Sequence, residues 1–383
     1  MKAISIFLTA AFLLLFISSC ADNIGEENGQ AGALPQIPQN SHQDGLPETP
    51  QDTPLDMSGF APPSLSNTPA SSDRAEYEYE EYLDGIVITQ YNGKSLIVRV
   101  PAEIDGMPVR KIGDEAFATG SFKRFLEVYH RVSDAALFNR STSVEEVYLP
   151  DTVTEIGRYA FERCSSLAYI DIPESVTVIG EGAFSSCTGL ETIELPSSLT
   201  TLGNNAFAKC ESLSSIVIPY GVQEIEYNTF FECRGLRSVT LPDSITSIGS
   251  YAFKNCISLS SINLPDSVIM IEEEAFIDCS GLNDIILSSN LTTLQSDAFR
   301  RCANIVRITI PSSVMQISNG VFANCSKLQF IEFESQTPPP TTRDSAFAGI
   351  HRLAEAIVPH GSTEYGEPGS RWNGLTVTIK DAD

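Results

Sequence analysis

The stretch that decides the fold is Leu167-Ala168-Tyr169-Ile170-Asp171-Ile172-Pro173, which runs on through Ser175-Val176-Thr177 and Ile179-Gly180 to Ala183-Phe184 and Cys187. Twenty-three residues later the same grammar begins again. Cysteines fall at 164, 187, 210, 233, 256, 279, 302 and 325, and phenylalanines at 161, 184, 207, 230, 253, 276, 299 and 322. Prolines at 150, 173, 196, 219, 242, 265 and 311 hold the same step, with Ser288 in the one gap. Self-similarity at a fixed period of this length marks a stacked-repeat architecture.

Each unit has a physical reading. Leu-x-x-Ile-x-Leu alternates apolar and variable positions, the period-two mark of a strand with one buried face. Proline ends that strand because it has no N–H for a ladder. The β-branched Val-Thr-x-Ile segment predicts a second short strand on the opposite side, and Ala-Phe-x-x-Cys predicts one helical turn with Phe and Cys inward. Where a glycine follows the second Ile, other units carry Glu226, Glu272, Gln295 and Ser318, so this turn requires no positive φ. The expectation is a repeat solenoid of 23-residue units, β-rich with short helical turns.

The array continues past its clean copies. Phe138 stands 23 before Phe161, with Ser141 in the cysteine slot and Val144, Val147 and Leu149 in apolar slots. Ile112-Gly113-Asp114-Glu115-Ala116-Phe117 is an earlier irregular copy, and Ala346-Phe347 with Leu353, Val358 and Pro359 is a last one. That makes eleven phenylalanine-marked units, the outermost atypical as caps should be. Stacked at strand spacing, about 4.8 Å, eleven units span roughly 50 Å.

Working outward, the solenoid is assigned to residues 111–350, a β cap to 76–110 and a closing cap to 351–383. Glu76-Tyr77-Glu78-Tyr79-Glu80-Glu81-Tyr82 reads as a solvated junction leading into the first cap. Residues 20–75 are crowded with Pro, Ser, Asn, Gln, Thr, Asp and Gly and have almost no apolar periodicity, which is the composition of a disordered stalk. Residues 1–19 have the layout of a secretion signal: Lys2, an apolar run from Ile4 to Ile17, then small residues. The run is too short for a comfortable membrane span.

Two resemblances sharpen this. Ile17-Ser18-Ser19-Cys20 resembles the lipobox of bacterial lipoproteins, which implies that Cys20 carries the acyl chains and the membrane anchor. The 23-residue unit, from about Asp84 to Val377, resembles the BspA-like, or treponemal-type, leucine-rich repeat of bacterial surface antigens. The Asp84-Gly85 to Val109 stretch is similar to that family's amino-terminal cap, and Val358-Pro359-His360-Gly361-Ser362 with Tyr365 and Trp372 to its closing segment. The resemblance implies surface display and attachment to host proteins or neighbouring cells. Among functions it favours an adhesin-type binding protein with a protein or glycan ligand; the alternative is a structural envelope lipoprotein without a specific ligand.

Charge and motif content bound the rest. Lys and Arg number 24 against 49 Asp and Glu, a net charge of −25. Such an excess repels phosphate backbones and anionic headgroups, so no nucleic acid is expected, and membrane attachment only through the lipid. No Gly-rich phosphate loop, zincin helix or nucleophile elbow is present in the sequence, and no convergent carboxylate pair recurs in the repeat. Leu149-Pro150-Asp151-Thr152-Val153 half-resembles a wall-sorting signal but recurs as Leu241-Pro242-Asp243-Ser244-Ile245, and so is repeat grammar. None of the histidines (His42, His130, His351, His360) lies near the cysteine row in sequence; no metal, cofactor or catalysis is expected. The row itself reads as buried free thiols, because equivalent neighbours offer no preferred disulfide pairing.

The positions flanking the strand Ile must face solvent. They form two rows: Tyr148, Asp171, Glu194, Val217, Thr240, Asn263, Ile286, Thr309 and Glu332, beside Glu146, Tyr169, Thr192, Ser215, Ser238, Ser261, Asp284, Arg307 and Phe330. Tyr148, Tyr169 and Phe330 are the candidate ligand anchors on this face, since exposed aromatics are enriched among binding hot spots. The rival surface is the opposite side, with Lys254, Arg300 and Arg301.

Overall fold

The computed structural model describes residues 74–118, 143–340 and 346–380, all within the compact unit Asn67–Asp383. The chain winds into a β-solenoid of about 12 turns of roughly 23 residues.

One side of each coil carries the strand of the Leu-x-x-Ile motif, as in Tyr169–Asp171, Ser215–Val217, Ser238–Thr240 and Ser261–Asn263. Pairing is parallel and one repeat apart, so Ser215 faces Ser238 and Ile216 faces Val239. In all four strands the middle residue is buried and the flanking ones are exposed, as the alternation requires. The ladder is interrupted at three places: between Tyr169–Asp171 and Ser215–Val217, where only Thr192 pairs, with Ser215, between Ser238–Thr240 and Ser261–Asn263, and between Asp284–Ile286 and Arg307–Ile310. A second side is built from two-residue strands such as Val178–Ile179, Glu224–Ile225 and Ser247–Ile248, also parallel.

The third side is a run of hydrogen-bonded turns. In place of the expected helical turn, Ala-Phe-x-x-Cys folds as non-helical i→i+3 turns, with Cys187 N–H on the Phe184 carbonyl at 3.1 Å. Two residues per coil, two before and two after the phenylalanine, adopt left-handed backbone: Tyr159 and Arg163 have φ of 54° and 60°. This flips alternate peptide planes, so the N–H groups of Tyr159, Phe161 and Arg163 point along the solenoid and bond the carbonyls of Glu181, Ala183 and Ser185 in the next coil, at 2.8, 2.8 and 2.7 Å. A third inter-coil ladder thus forms without strands. The turn at Gly157, Gly180, Gly203 and Gly249 has no positive φ, which is why glutamate fits there.

The interior is a stack of like residues. Phenylalanine rings from 161 to 322 lie with centroids 5.0 to 5.8 Å apart and nearly parallel. Tyr91 opens the stack, and Phe347 with Trp372 closes it. Polar side chains from one coil satisfy carbonyls in the coil before: Ser198 Oγ donates to Val176, Ser244 Oγ to Val222 and Thr200 Oγ1 to Thr177.

Two more expectations are corrected. Phe117 stacks directly on Phe161 at 4.9 Å, and Lys111–Ile112 pairs with Glu155–Ile156. No place remains between them for a coil marked by Phe138, which with Ser141 lies outside the described residues; Phe117 holds that rung. The Glu76–Tyr82 run is largely solvated, as expected, but it is part of the cap and not a junction leading to it. Tyr77–Tyr82 is a strand paired antiparallel with Gly85–Tyr91, and Tyr77 is buried against Tyr91 at 5.4 Å. Cys20 and the 20–75 segment up to Asp73 also lie outside the described residues.

Candidate functional site: the open sheet face

The sheet strands are short because proline or its surrogate follows most of them, and they keep register because the coils from Phe161 to Phe322 all have the same length. Their outward residues therefore line up in rows along the solenoid. Glu146 pairs with Tyr169 and Tyr148 with Asp171, so both candidate tyrosines lie on the same face in adjacent coils. Their rings are 5.7 Å apart. Phe330 lies toward the other end, paired with Arg307 in the preceding coil.

The three anchors are not equivalent. Tyr169 is 44% exposed, whereas Tyr148 and Phe330 are half-buried. The guanidinium of Arg99 lies 4.0 Å from the Tyr148 ring centre, and the Tyr148 hydroxyl donates to Glu146 at 2.8 Å. Arg307 covers Phe330 in the same manner at 4.6 Å and approaches Glu332 at 3.9 Å. Both arginines are cation–π partners supplied by the neighbouring coil. Burial, the Glu146 bond and the Glu146 charge raise the Tyr148 phenol above its ordinary pKa. Burial first, then the charges of Asp171, Glu194 and Glu146, do the same for Tyr169.

Between the aromatic ends the rows carry serine and threonine with exposed apolar positions among them. Val217 and Ile286 are 64% and 57% exposed and break the serine–threonine rows. An open hollow of about 310 Å³ lies beside Asp284, Ile286, Val306 and Arg307. It is too open to enclose a small ligand. A hollow of about 450 Å³ on the second side, by Thr200, Gln223 and Glu226, is as open.

The rival cationic surface neutralises itself. Lys254 pairs with Glu274 at 2.9 Å, Arg300 with Asp297 at 3.4 Å and Arg301 with Asp278 at 3.5 Å. Among the described residues no group of three or more His, Cys, Asp or Glu could hold a metal ion, and no helix is long and apolar enough to cross a membrane. The eight repeat cysteines are buried, and each Sγ from Cys187 onward donates to the phenylalanine carbonyl 26 residues before it, as Cys233 does to Phe207 at 3.0 Å.

The Arg99 and Arg307 partners were not anticipated from the sequence. Arg307 was legible as a 23-residue neighbour of Phe330, but Arg99 lies in the cap, outside the regular register.

The family model for the BspA type leucine rich repeat region matches residues 132–260 and 246–368, with six copies. No curated protein matches the chain. Among solved structures, a T. pallidum leucine rich repeat protein is 28% identical over 61% of this chain and 90% of its own, with a TM-score of 0.44. A leucine rich cell surface protein of Faecalibacterium prausnitzii is 26% identical over 78% and 97%, with a TM-score of 0.41. The pneumococcal vaccine antigen PcpA is 14% identical over 80% and 97%, with a TM-score of 0.37. The matched family segments take in most of the solenoid just described, and the chain belongs to the BspA-type leucine-rich-repeat family.

Proposed function

We propose that this chain is a surface-displayed binding protein of adhesin type, held to the membrane through Cys20, and that its sheet face recognises a macromolecule of the host or of neighbouring cells. The observation that carries the reading is an open, registered sheet face with aromatic side chains at its two ends. The rows are long, and their hollow encloses nothing the size of a metabolite; a macromolecular partner suits such a surface. The opposite cations are already paired with carboxylates of this chain, so they have less to offer a partner.

Tyr169 is the principal anchor, with Tyr148 and Phe330 contributing through the parts of their rings that Arg99 and Arg307 leave uncovered. The test is adhesion of the immobilised full chain to host matrix proteins and to extracts of neighbouring cells. Tyr169→Ala should weaken a bound ligand by more than about 1 kcal/mol while leaving the melting temperature unchanged. Tyr148→Ala and Phe330→Ala should weaken it similarly but also lower stability, because each strands an arginine. Binding that survives all three and is lost on Lys254→Ala, Arg300→Ala and Arg301→Ala would move the site to the other side. Failure to retain any ligand would favour a structural envelope role.

A further inference from the structure

We infer that the amino-terminal end of the sheet face docks an arginine-rich, extended segment of a partner protein, with one guanidinium stacked on Tyr169. The inference rests on the sheet face being the recognition surface and names the chemistry of its partner.

The patch combines three features. First, exposed apolar side chains lie together there: Leu96, Ile97 and Tyr169 are 46%, 45% and 44% exposed, and Ile97, Glu146 and Tyr169 form one row across three coils. Second, the carboxylates around it are unspent. Glu145, Asp171, Glu191 and Glu194 are exposed, and among the described residues none of these four carboxylates has an ion-pair or hydrogen-bond partner. Arg99, whose strand pairs with that of Tyr148, is already stacked on the Tyr148 ring. Third, the face shows twice what its aromatic rings accept, because Arg99 and Arg307 each cover a ring supplied by the adjacent coil. Tyr169 presents the same kind of ring, beside Tyr148, with carboxylates of Asp171, Glu194 and Glu146 close enough to perturb its hydroxyl.

Charge complementarity therefore specifies the occupant. A polyanion is repelled. A single small cation would meet one coil only, whereas the free carboxylates at 145, 171, 191 and 194 are spread over three coils, about 4.8 Å apart. An extended peptide projects every second side chain to the same side, ~6.8 Å apart, so two alternate basic residues fit within the roughly 9.6 Å that three coils span. Arginine fits better than lysine: its plane stacks on a ring while its N–H fork bonds a carboxylate, and Leu96 and Ile97 can take its methylene stem.

The probe is hexaarginine, titrated against the full-length chain in neutral detergent near physiological salt, with hexalysine and spermine as competitors. Hexaarginine should bind about threefold or more tightly than hexalysine. Tyr169→Ala should weaken it about fivefold, and Tyr169→Phe less than about twofold, since the ring face is retained. Asp171→Asn with Glu194→Gln should weaken it about tenfold. A chain of this net charge attracts any polycation, so the matched pair Glu224→Gln with Glu273→Gln, from exposed positions elsewhere, is the control and should change binding less than about twofold. Equal losses from the two carboxylate pairs, or indifference to Tyr169→Ala, would overturn the inference. Spermine binding as tightly as hexaarginine, with the same dependence on Tyr169, would overturn the peptide assignment. If adhesion needs Tyr169 but hexaarginine does not, the recognition face stands and its cationic partner falls. If hexaarginine needs the patch but adhesion ignores it, the adhesive reading of the face falls instead.

Discussion

At the scale of one residue, cysteine is chosen for its small size and for its proton. The Phe161 carbonyl accepts the N–H of Cys164 at 3.1 Å and the thiol of Cys187, from the next coil, at 3.1 Å. An apolar residue of that size would leave half of this bond unmade, and an ionised thiolate would reverse it. Burial pushes the Cys210 and Cys325 thiols up from an ordinary 9.0 to about 12, and raises Cys187, Cys233, Cys256 and Cys302 well above the ordinary value. Between about pH 9 and 12 the unfolded thiols lose protons that the folded ones keep, so the stability they contribute is whole below pH 9 and declines as pH rises through that window. The slope is about 1.4 kcal/mol per pH unit for each thiol that differs fully between the two states. The denaturation midpoint should thus hold from pH 7 to 8.5 and fall steeply by pH 10.5, while iodoacetamide labels few of these thiols until denaturant is added. A midpoint flat to pH 11 would show that the thiols are not buried as acids.

At the scale of the coil, the period made most of the fold legible. Most strands with their buried middle residues, the proline stops and the phenylalanine rungs from Phe161 to Phe322 could be placed from spacing alone. The left-handed pair could not, because its occupants change from coil to coil: tyrosine and arginine at 159 and 163, asparagine and lysine at 205 and 209, glutamate and aspartate at 274 and 278. Only Gly182 and Gly320 among the two-before positions announce the geometry. Backbone bonds to the next coil hold residues there that would otherwise avoid it. The other miss has a simple origin. Phe138 sits in perfect register with Phe161, yet Phe117 is the residue that stacks there. The Cys164 thiol reaches Phe117, 47 residues back, where every later cysteine reaches 26. The chain therefore carries 21 extra residues at this point, and an insertion near one period in length imitates a repeat. Deleting residues 120–140 should restore the spacing, put Ser141 three places after Phe117 and Val144 six places after it, and leave the solenoid folded. We expect thermal unfolding within about 1 kcal/mol of the parent and unchanged protection of the amides at Phe117 and Ile156. Loss of folding would mean that the inserted residues complete the core.

At the scale of the whole molecule, the candidate site was half legible. Its rows follow from the period, but which aromatic is available depends on Arg99 and Arg307, and a side chain's cross-coil partner cannot be read from its own repeat alone. Binding by a solenoid also demands that the face stand clear of whatever holds the chain. On the proposed reading both parts of that arrangement lie in residues outside those the structure describes: a Pro- and Ser-rich stretch from 21 to 73, and ahead of it Cys20, after the apolar run Ile4 to Ile17 and the one cysteine out of the 23-residue register. A run of that length is short for a span, and a single acyl chain gives only reversible membrane binding, whereas two or more give a stable anchor. Retention on the membrane should accordingly depend on the Cys20 side chain rather than on the apolar run or the solenoid. Cys20→Ala expressed in a bacterial host should leave the detergent phase, or accumulate unprocessed, while its solenoid melts at the parent temperature. Cys187→Ala, the same change inside the register, should do the reverse, keeping the detergent partition and lowering the melt. A Cys20→Ala protein that is processed and still partitions into detergent would place the anchor elsewhere in the chain.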